Sequence, residues 1–98
     1  MSKEAVATET KTEVKFPDRF NVILINDDHT PMDFVIKLLV EIFNKGIKDA
    51  KELTMKVHNE GQAIAGSYNN EIANQKHHEA VEMAKGFGYP LQIKLEKM

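Results

Sequence analysis

The chain has 98 residues, which is enough for one small domain with one modest core and excludes a two-domain enzyme with a cleft between its lobes. It contains no cysteine, which excludes disulfides, thiolate zinc sites, iron–sulfur clusters and thiol nucleophiles. The formal charge is −2, too little positive charge for a surface that binds nucleic acid.

Membrane and export signals are missing from the sequence. No apolar run approaches the roughly 20 residues of a membrane helix, and the N-terminus lacks the apolar stretch of a secretory signal. The absence of such a signal and of cysteine is typical of proteins in a reducing cytoplasm. We therefore expect a cytoplasmic domain without nucleic-acid or membrane partners, and its 42% of hydrophobic residues indicates that it folds.

The first 15 residues differ in composition from the rest. They are mostly Ser, Lys, Glu, Ala and Thr, and cannot bury enough surface to offset the entropy of ordering. We predict a flexible arm over residues 1–15 and a core domain over residues 16–98. Two interpretations of the arm stay open: a frayed terminus, or a tether that another protein grips.

A strand and a helix are predicted next. Residues 20–25 are β-rich and nearly all apolar, which indicates a central strand, and the turn formers of residues 26–29 end it. Thr30 is a predicted N-cap, Pro31 the first helical position, and Asp33 the third residue of a capping box. Gly46 is the predicted left-handed stop. The helix has apolar residues at helical spacing, namely Val35, Leu38, Leu39, Ile42 and Phe43.

The second half contains two more helices and two strands. We predict a helix from about residue 49 to residue 60, a strand over 62–68, a helix capped by Asn69 or Asn70, a loop over 86–90, and a last strand. In that strand Leu91, Ile93 and Leu95 alternate with polar residues. The order β-α-α-β-α-β predicts an α+β fold: a single small domain with a three-stranded antiparallel sheet and three helices packed on one face.

Polar residues that could form a site stand at two places. Asn26, Asp27 and Asp28 follow the first strand, where they form either an ordinary acidic turn or a site for a cation, which would be a metal or an ammonium group. His58 lies near the end of the second helix, where it either complements the helix dipole or accepts a hydrogen bond in a pH-dependent site. The apolar residues nearby are either core or the lining of a small pocket beside Asn26 and Asp27.

An enzyme is not indicated. Asp27, Asp28 and His58 form a conceivable acid–base set of a metal-dependent hydrolase, but the chain has no nucleophile elbow, phosphate loop or zinc spacing. The adjacent His77 and His78 project about 100° apart and are badly placed to share a metal. We therefore predict no catalytic residue, no metal and no cofactor.

Two motifs resemble the signature of the bacterial ClpS adaptors. They are residues 22–35, VILINDDHTPMDFV, and the spacing Val57-His58-x-x-Gly61-x-Ala63-x-x-Gly66; residues 89–97 fit as well. The resemblance implies an N-end rule adaptor, which binds proteins by an N-terminal Leu, Phe, Tyr or Trp. Such adaptors pass these proteins to the hexameric AAA+ unfoldase of the Clp protease, ClpA or a close relative. The resemblance also implies a small α/β fold that is shared with the C-terminal domain of the ribosomal stalk protein.

The resemblance also implies roles for individual residues. Asn26, Asp27 and His58 match positions that contact the substrate's α-amino group. Glu71 and Lys76 match third-helix positions that dock on the unfoldase's N-terminal domain, and the arm resembles the extension that the unfoldase engages. The resemblance further implies a side-chain pocket that is lined by Thr30, Met32, Val35, Val57 and Leu91, together with Thr54.

Thr54 departs from the family, whose members often carry Met at this position. Threonine is shorter and carries a hydroxyl, so the preference among Leu, Phe, Tyr and Trp stays open. The alternative to an adaptor is a non-catalytic scaffold or interaction domain that shares the fold without the pocket for a chain's N-terminus.

Overall fold

Six helices and strands follow one another in the predicted order. The structure is a computed structural model that describes residues 18–98, so the arm predicted for residues 1–15 lies outside the described residues. The elements are β1 (Arg19–Ile25), α1 (Met32–Glu41), α2 (Ile47–Glu60), β2 (Gln62–Asn69), α3 (Asn70–Phe87) and β3 (Gln92–Lys97).

The sheet is antiparallel with β1 in its centre and the strand order β2–β1–β3. Val22 and Leu24 of β1 are fully buried in the core with residues of the three helices. Ile23 projects to the opposite face, where it is paired with the exposed Ile64 of β2 and with Lys94 of β3. The predicted fold, three helices on one face of a three-stranded sheet, is therefore confirmed.

The start of α1 differs from the prediction. The helix begins at Met32 with Pro31 as its N-cap, and no side chain bonds to the cap. The hydroxyl of Thr30 donates to Asp27 Oδ2 at 2.8 Å instead. The predicted capping box of Thr30 and Asp33 is wrong because the preceding loop supplies a charged acceptor, which makes the stronger hydrogen bond.

The connection between α1 and α2 also differs. The left-handed residue is Asn44, with φ 58°, rather than Gly46. Gly46 has an extended backbone and is the N-cap of α2, which begins at Ile47, two residues earlier than predicted. Ile47 is apolar but 59% exposed. Apolar periodicity marks the buried face of a helix, so it does not detect this first turn.

The predicted boundaries of α3 are correct at the start of the helix and wrong at its end. Asn69 caps the helix as predicted, since its Oδ1 accepts from the amide of Ile72 at 2.9 Å. The helix then continues through Gly86 and Phe87, which were predicted to be loop, and ends at Gly88 with φ 78°. The Phe87 ring lies 5.2 Å from that of Phe34 in α1, a long-range contact that holds the last turn in place.

Candidate functional site

The loop between β1 and α1 is organised around the carboxylate of Asp27. Oδ1 accepts the backbone amides of His29 and Thr30, both at 2.8 Å, and Oδ2 accepts the Thr30 hydroxyl. Such bonds from an Asp side chain to the chain just ahead shape a tight turn. An ionised carboxylate has about four acceptor positions, so Asp27 keeps capacity on Oδ2 for one further donor.

The pKa of Asp27 lies below its ordinary value. Partial burial acts to raise the pKa, but the hydrogen bonds from His29 and Thr30, together with the charge of His29, outweigh it. The group is therefore a stable anion throughout the neutral pH range.

The end of α2 is fastened to this loop. The helix ends at residue 60 as predicted, and Gly61 follows it in the left-handed region with φ 91°, where its amide donates to Val57 O at 2.9 Å. Its carbonyl accepts the Asn26 amide, also at 2.9 Å. This bond joins the start of the Asp27 loop to the helix turn that carries His58, and so brings residues 26, 27 and 58 to one edge of the molecule.

A cavity of about 210 Å³ lies between this loop, α1 and α2. Exposed or half-buried polar residues stand at its opening, and the buried Val35, Thr54 and Val57 form its inner wall. The volume is below the roughly 300–1,000 Å³ of pockets for drug-sized ligands and suits one side chain. The lining consists of Asn26, Asp27, Asp28, Thr30, Met32, Val35, Thr54, Val57 and His58.

The predicted substrate-binding residues line this cavity, with Leu91 as the exception. Leu91 is buried in the core cluster just before β3 and is not among the lining residues. Asp28, for which no contact was specified, does line it. A wider groove of about 330 Å³ beside α2 is lined by residues such as Lys45 and Glu52 and contains no predicted site residue. The binding roles themselves stay predictions.

The resemblance assigned Asp27 to the substrate's α-amino group, but the second role of its carboxylate, holding the loop together, was not predicted. Its hydroxyl partner Thr30 was assigned to a helix cap and to the pocket wall, not to the carboxylate. The Asp-x-x-Thr spacing carried the signal, because Asp side chains often bond to groups two and three residues ahead.

The predicted docking residues lie on α3 and do not line this cavity. Glu71 is exposed in the first turn. Lys76 is half-buried, and its ammonium donates to the carbonyl of Ile42, the C-cap of α1, at 2.7 Å. Lys76 therefore stabilises the end of α1, a contact that nothing in the local sequence indicates.

Within residues 18–98, no three His, Asp or Glu side chains lie close enough together to hold a metal ion. His77 lies 2.8 Å from the carbonyl of Ile93 through Nε2, which ties α3 to β3. None of the helices in this part of the chain is long and apolar enough to cross a membrane.

Comparisons with known proteins agree with one another. The family model described as "ATP-dependent Clp protease adaptor protein ClpS" matches residues 15–94. A protein of that name from Helicobacter hepaticus is 40% identical over 98 residues, 100% of this chain and 99% of the relative. One from Treponema denticola is 48% identical over 82 residues, 84% of this chain and 81% of the relative.

A solved structure is similar over most of the chain. It is ClpS2 of Agrobacterium tumefaciens bound to L-phenylalaninamide, with a TM-score of 0.81 and 31% sequence identity. The match covers 85% of this chain and 100% of that protein. Its ligand is a single amino acid with a free α-amino group and an amide in place of a following residue.

Proposed function

Because the chain belongs to the ClpS family of ATP-dependent Clp protease adaptor proteins, we propose that it binds proteins with an N-terminal Leu, Phe, Tyr or Trp and delivers them to the Clp unfoldase–protease. One observation carries the binding step. A cavity of one-side-chain size has a charged, hydrogen-bonding opening and an inner wall formed largely by apolar residues. The similar protein solved with a phenylalanine amide supports the same ligand chemistry.

The opening of the cavity suits an α-ammonium group. This group has a reference pKa of about 7.7–8.0, is largely charged near pH 7 and has three donors. We assign its acceptors to the Asn26 side-chain oxygen, the free position on Asp27 Oδ2 and a neutral nitrogen of His58. Because Asp27 is already held by the His29 and Thr30 amides, its charge is placed before the ligand arrives.

The inner wall suits the attached side chain. Val35 and Val57 are buried and apolar, and burying a Leu or Phe side chain against such surface contributes roughly 1.5–3 kcal/mol. Met32 is 38% exposed at the cavity, so its flexible thioether can adjust to the entering group. We propose that Leu91 supports this wall from within the core.

Both parts of the cavity are needed for selectivity. An acetylated or internal residue lacks the charge and two of the donors, so acceptors at the opening lose their water without a replacement. Each buried group left unsatisfied costs about 1–3 kcal/mol. The opening therefore selects a free N-terminus, and the wall selects a large apolar first residue.

We propose that delivery uses surfaces away from the cavity. Glu71 and Lys76 of α3 are the proposed contacts with the N-terminal domain of a ClpA-type unfoldase, and residues 1–15 the segment that the unfoldase engages. The Lys76 ammonium bonds to the Ile42 carbonyl, so replacing Lys76 would also remove a contact within the domain. Glu71 is therefore the better position at which to test docking. We further propose that the protein works in the cytoplasm and catalyses no reaction.

The proposal is tested by titrating fluorescent peptides that start with Leu, Phe or acetyl-Phe. We expect the free Leu and Phe peptides to bind and the acetylated peptide to bind at least about tenfold more weakly. Equal affinity for Phe and acetyl-Phe would support a scaffold without an N-terminus pocket. Peptide turnover that requires an added divalent ion would support a hydrolase that uses Asp27, Asp28 and His58.

A further inference from the structure

The inner wall of the cavity contains one polar group. Thr54 is 3% exposed, and among residues 18–98 it is the one polar residue that is buried. It lines the cavity together with the buried Val35 and Val57. A hydroxyl is unusual in a buried wall that is otherwise formed by apolar side chains. A buried polar group needs a hydrogen-bond partner, so the partners of this hydroxyl have to be identified.

The Thr54 hydroxyl is an acceptor in this position. It has one proton, and that proton is donated to the carbonyl of Ala50 one turn earlier, at 2.7 Å. The oxygen also has two lone pairs, which this bond leaves unused. A ligand group that meets Thr54 therefore finds an acceptor and no available donor.

The distance from the opening suits the length of an aromatic side chain. Thr54 lies four residues before His58 on α2, which is about 6 Å along the helix axis. His58 is exposed at the opening while Thr54 is buried, so the helix leads inward from one to the other. A side chain whose α-amino group is held near His58 thus has its far end near Thr54.

From these contacts we propose that Thr54 recognises the phenolic hydroxyl of an N-terminal Tyr, which donates its proton to Thr54 Oγ1. This inference rests on the proposed function and makes Tyr the favoured first residue. Phe fills the same space without a hydroxyl. Leu is too short to reach Thr54, and the indole N–H of Trp lies at the side of a wider ring.

The test changes one chemical group on each partner of the proposed hydrogen bond, the peptide's first residue and Thr54 of the protein. Peptides that differ only in their first residue, Tyr, Phe or 4-fluorophenylalanine, are titrated by fluorescence polarisation. Fluorine occupies the position of the hydroxyl but donates no proton. For the unaltered protein we expect Tyr to bind about three- to tenfold more tightly than 4-fluorophenylalanine, the range of one net hydrogen bond.

The protein variants are Thr54→Val, which replaces the hydroxyl by a methyl group of similar size, and Thr54→Ser, which keeps the hydroxyl. We expect the Tyr-to-Phe affinity ratio to fall at least about fivefold in Thr54→Val, because the phenol is then buried without a partner. Thr54→Ser retains most of the ratio. Each variant's thermal unfolding is recorded to confirm that it folds.

Two results overturn the inference. One is a Tyr-to-Phe ratio that is the same in Thr54→Val and the unaltered protein; the other is equal binding of Tyr and 4-fluorophenylalanine, which needs no variant. Both leave the adaptor proposal standing as long as free N-termini bind more tightly than acetylated ones. If none of the free peptides binds, the adaptor proposal itself fails.

Discussion

At the scale of single residues, Asp27 has two roles that are separable by mutation. Its Oδ1 holds the loop through two backbone amides, and its charge is the proposed partner of the ligand's ammonium. An alanine at this position removes both, so a loss of binding in that variant does not identify the cause. Asparagine keeps an oxygen for the two amides and removes the charge; its NH2 group takes the place of Oδ2, so the Thr30 hydroxyl must accept there instead of donating.

For Asp27→Asn we expect the affinity for a Phe-initiated peptide to fall at least about tenfold, because hydrogen bonds to a charged group contribute about 1.5–3 kcal/mol. The free energy of unfolding, measured in urea, should change by less than about 1 kcal/mol. Asp33→Asn is the control, because Asp33 is exposed in the first turn of α1 and does not line the cavity. Unchanged affinity in Asp27→Asn would remove the proposed ion pair.

The charge of Asp27 does not change in the neutral pH range in which peptides are titrated. Because its pKa is lowered by folding, its contribution to stability is complete above its ordinary value of 3.8 and is lost only as the pH falls through the lower folded value.

The proposed contact of His58 with the ammonium is tested by mutation. For His58→Ala we expect the affinity for a Phe-initiated peptide to fall about three- to tenfold, the range of one net hydrogen bond. His58→Asn keeps an acceptor, serves as the control and should retain most of the affinity. Unchanged affinity in His58→Ala would show that His58 does not contact the ammonium.

At the scale of helices and strands, the end of α2 determines whether the site exists. Gly61 reverses the chain at φ 91°, and its carbonyl accepts the Asn26 amide. A side chain at Gly61 meets no atom within 4 Å, so its cost is the left-handed backbone alone. Gly86 also has open space around it but lies inside α3 without a positive φ.

Replacement of glycine by alanine should have opposite effects on stability at these two positions. Gly61→Ala should lower the free energy of unfolding by about 1 kcal/mol, and Gly86→Ala should raise it by about 0.5–1 kcal/mol. Because Gly61 also anchors Asn26, peptide affinity should fall in Gly61→Ala and stay constant in Gly86→Ala. Equal shifts of stability in the two variants, measured by thermal and urea unfolding, would contradict this account of the α2 terminus.

At the scale of the whole molecule, ligand capture and delivery are expected to be separate. The described residues that line the cavity lie between positions 26 and 58, outside residues 1–15. Removing those 15 residues should leave the affinity for a Phe-initiated peptide unchanged and slow the degradation of a Phe-initiated reporter by the unfoldase and protease.

Two variants serve as controls for delivery, because one should interrupt peptide capture and the other association with the unfoldase. Asp27→Asn should reduce capture and therefore degradation, while Glu71→Ala should keep capture and weaken association with the unfoldase. If the shortened protein supports degradation at the rate of the full chain, residues 1–15 take no part in transfer.

The sequence alone predicted the order of the elements, the central strand, the Asn69 cap, the end of the second helix at residue 60 and the family. Each of these depends on residues close together in the chain: apolar periodicity, turn formers and caps act locally. The family motif is equally local, since residues 22–35 and 57–66 are two short runs.

Only the tertiary structure decided which partner each group has. The Thr30 hydroxyl bonds to Asp27 instead of capping α1, Phe87 prolongs α3 by contacting Phe34, and Leu91 lies in the core and does not line the cavity. Lys76 is held by Ile42, 34 positions away in the chain. Such choices depend on which groups the fold brings within hydrogen-bond or van der Waals distance, and spacing along the chain does not contain that information.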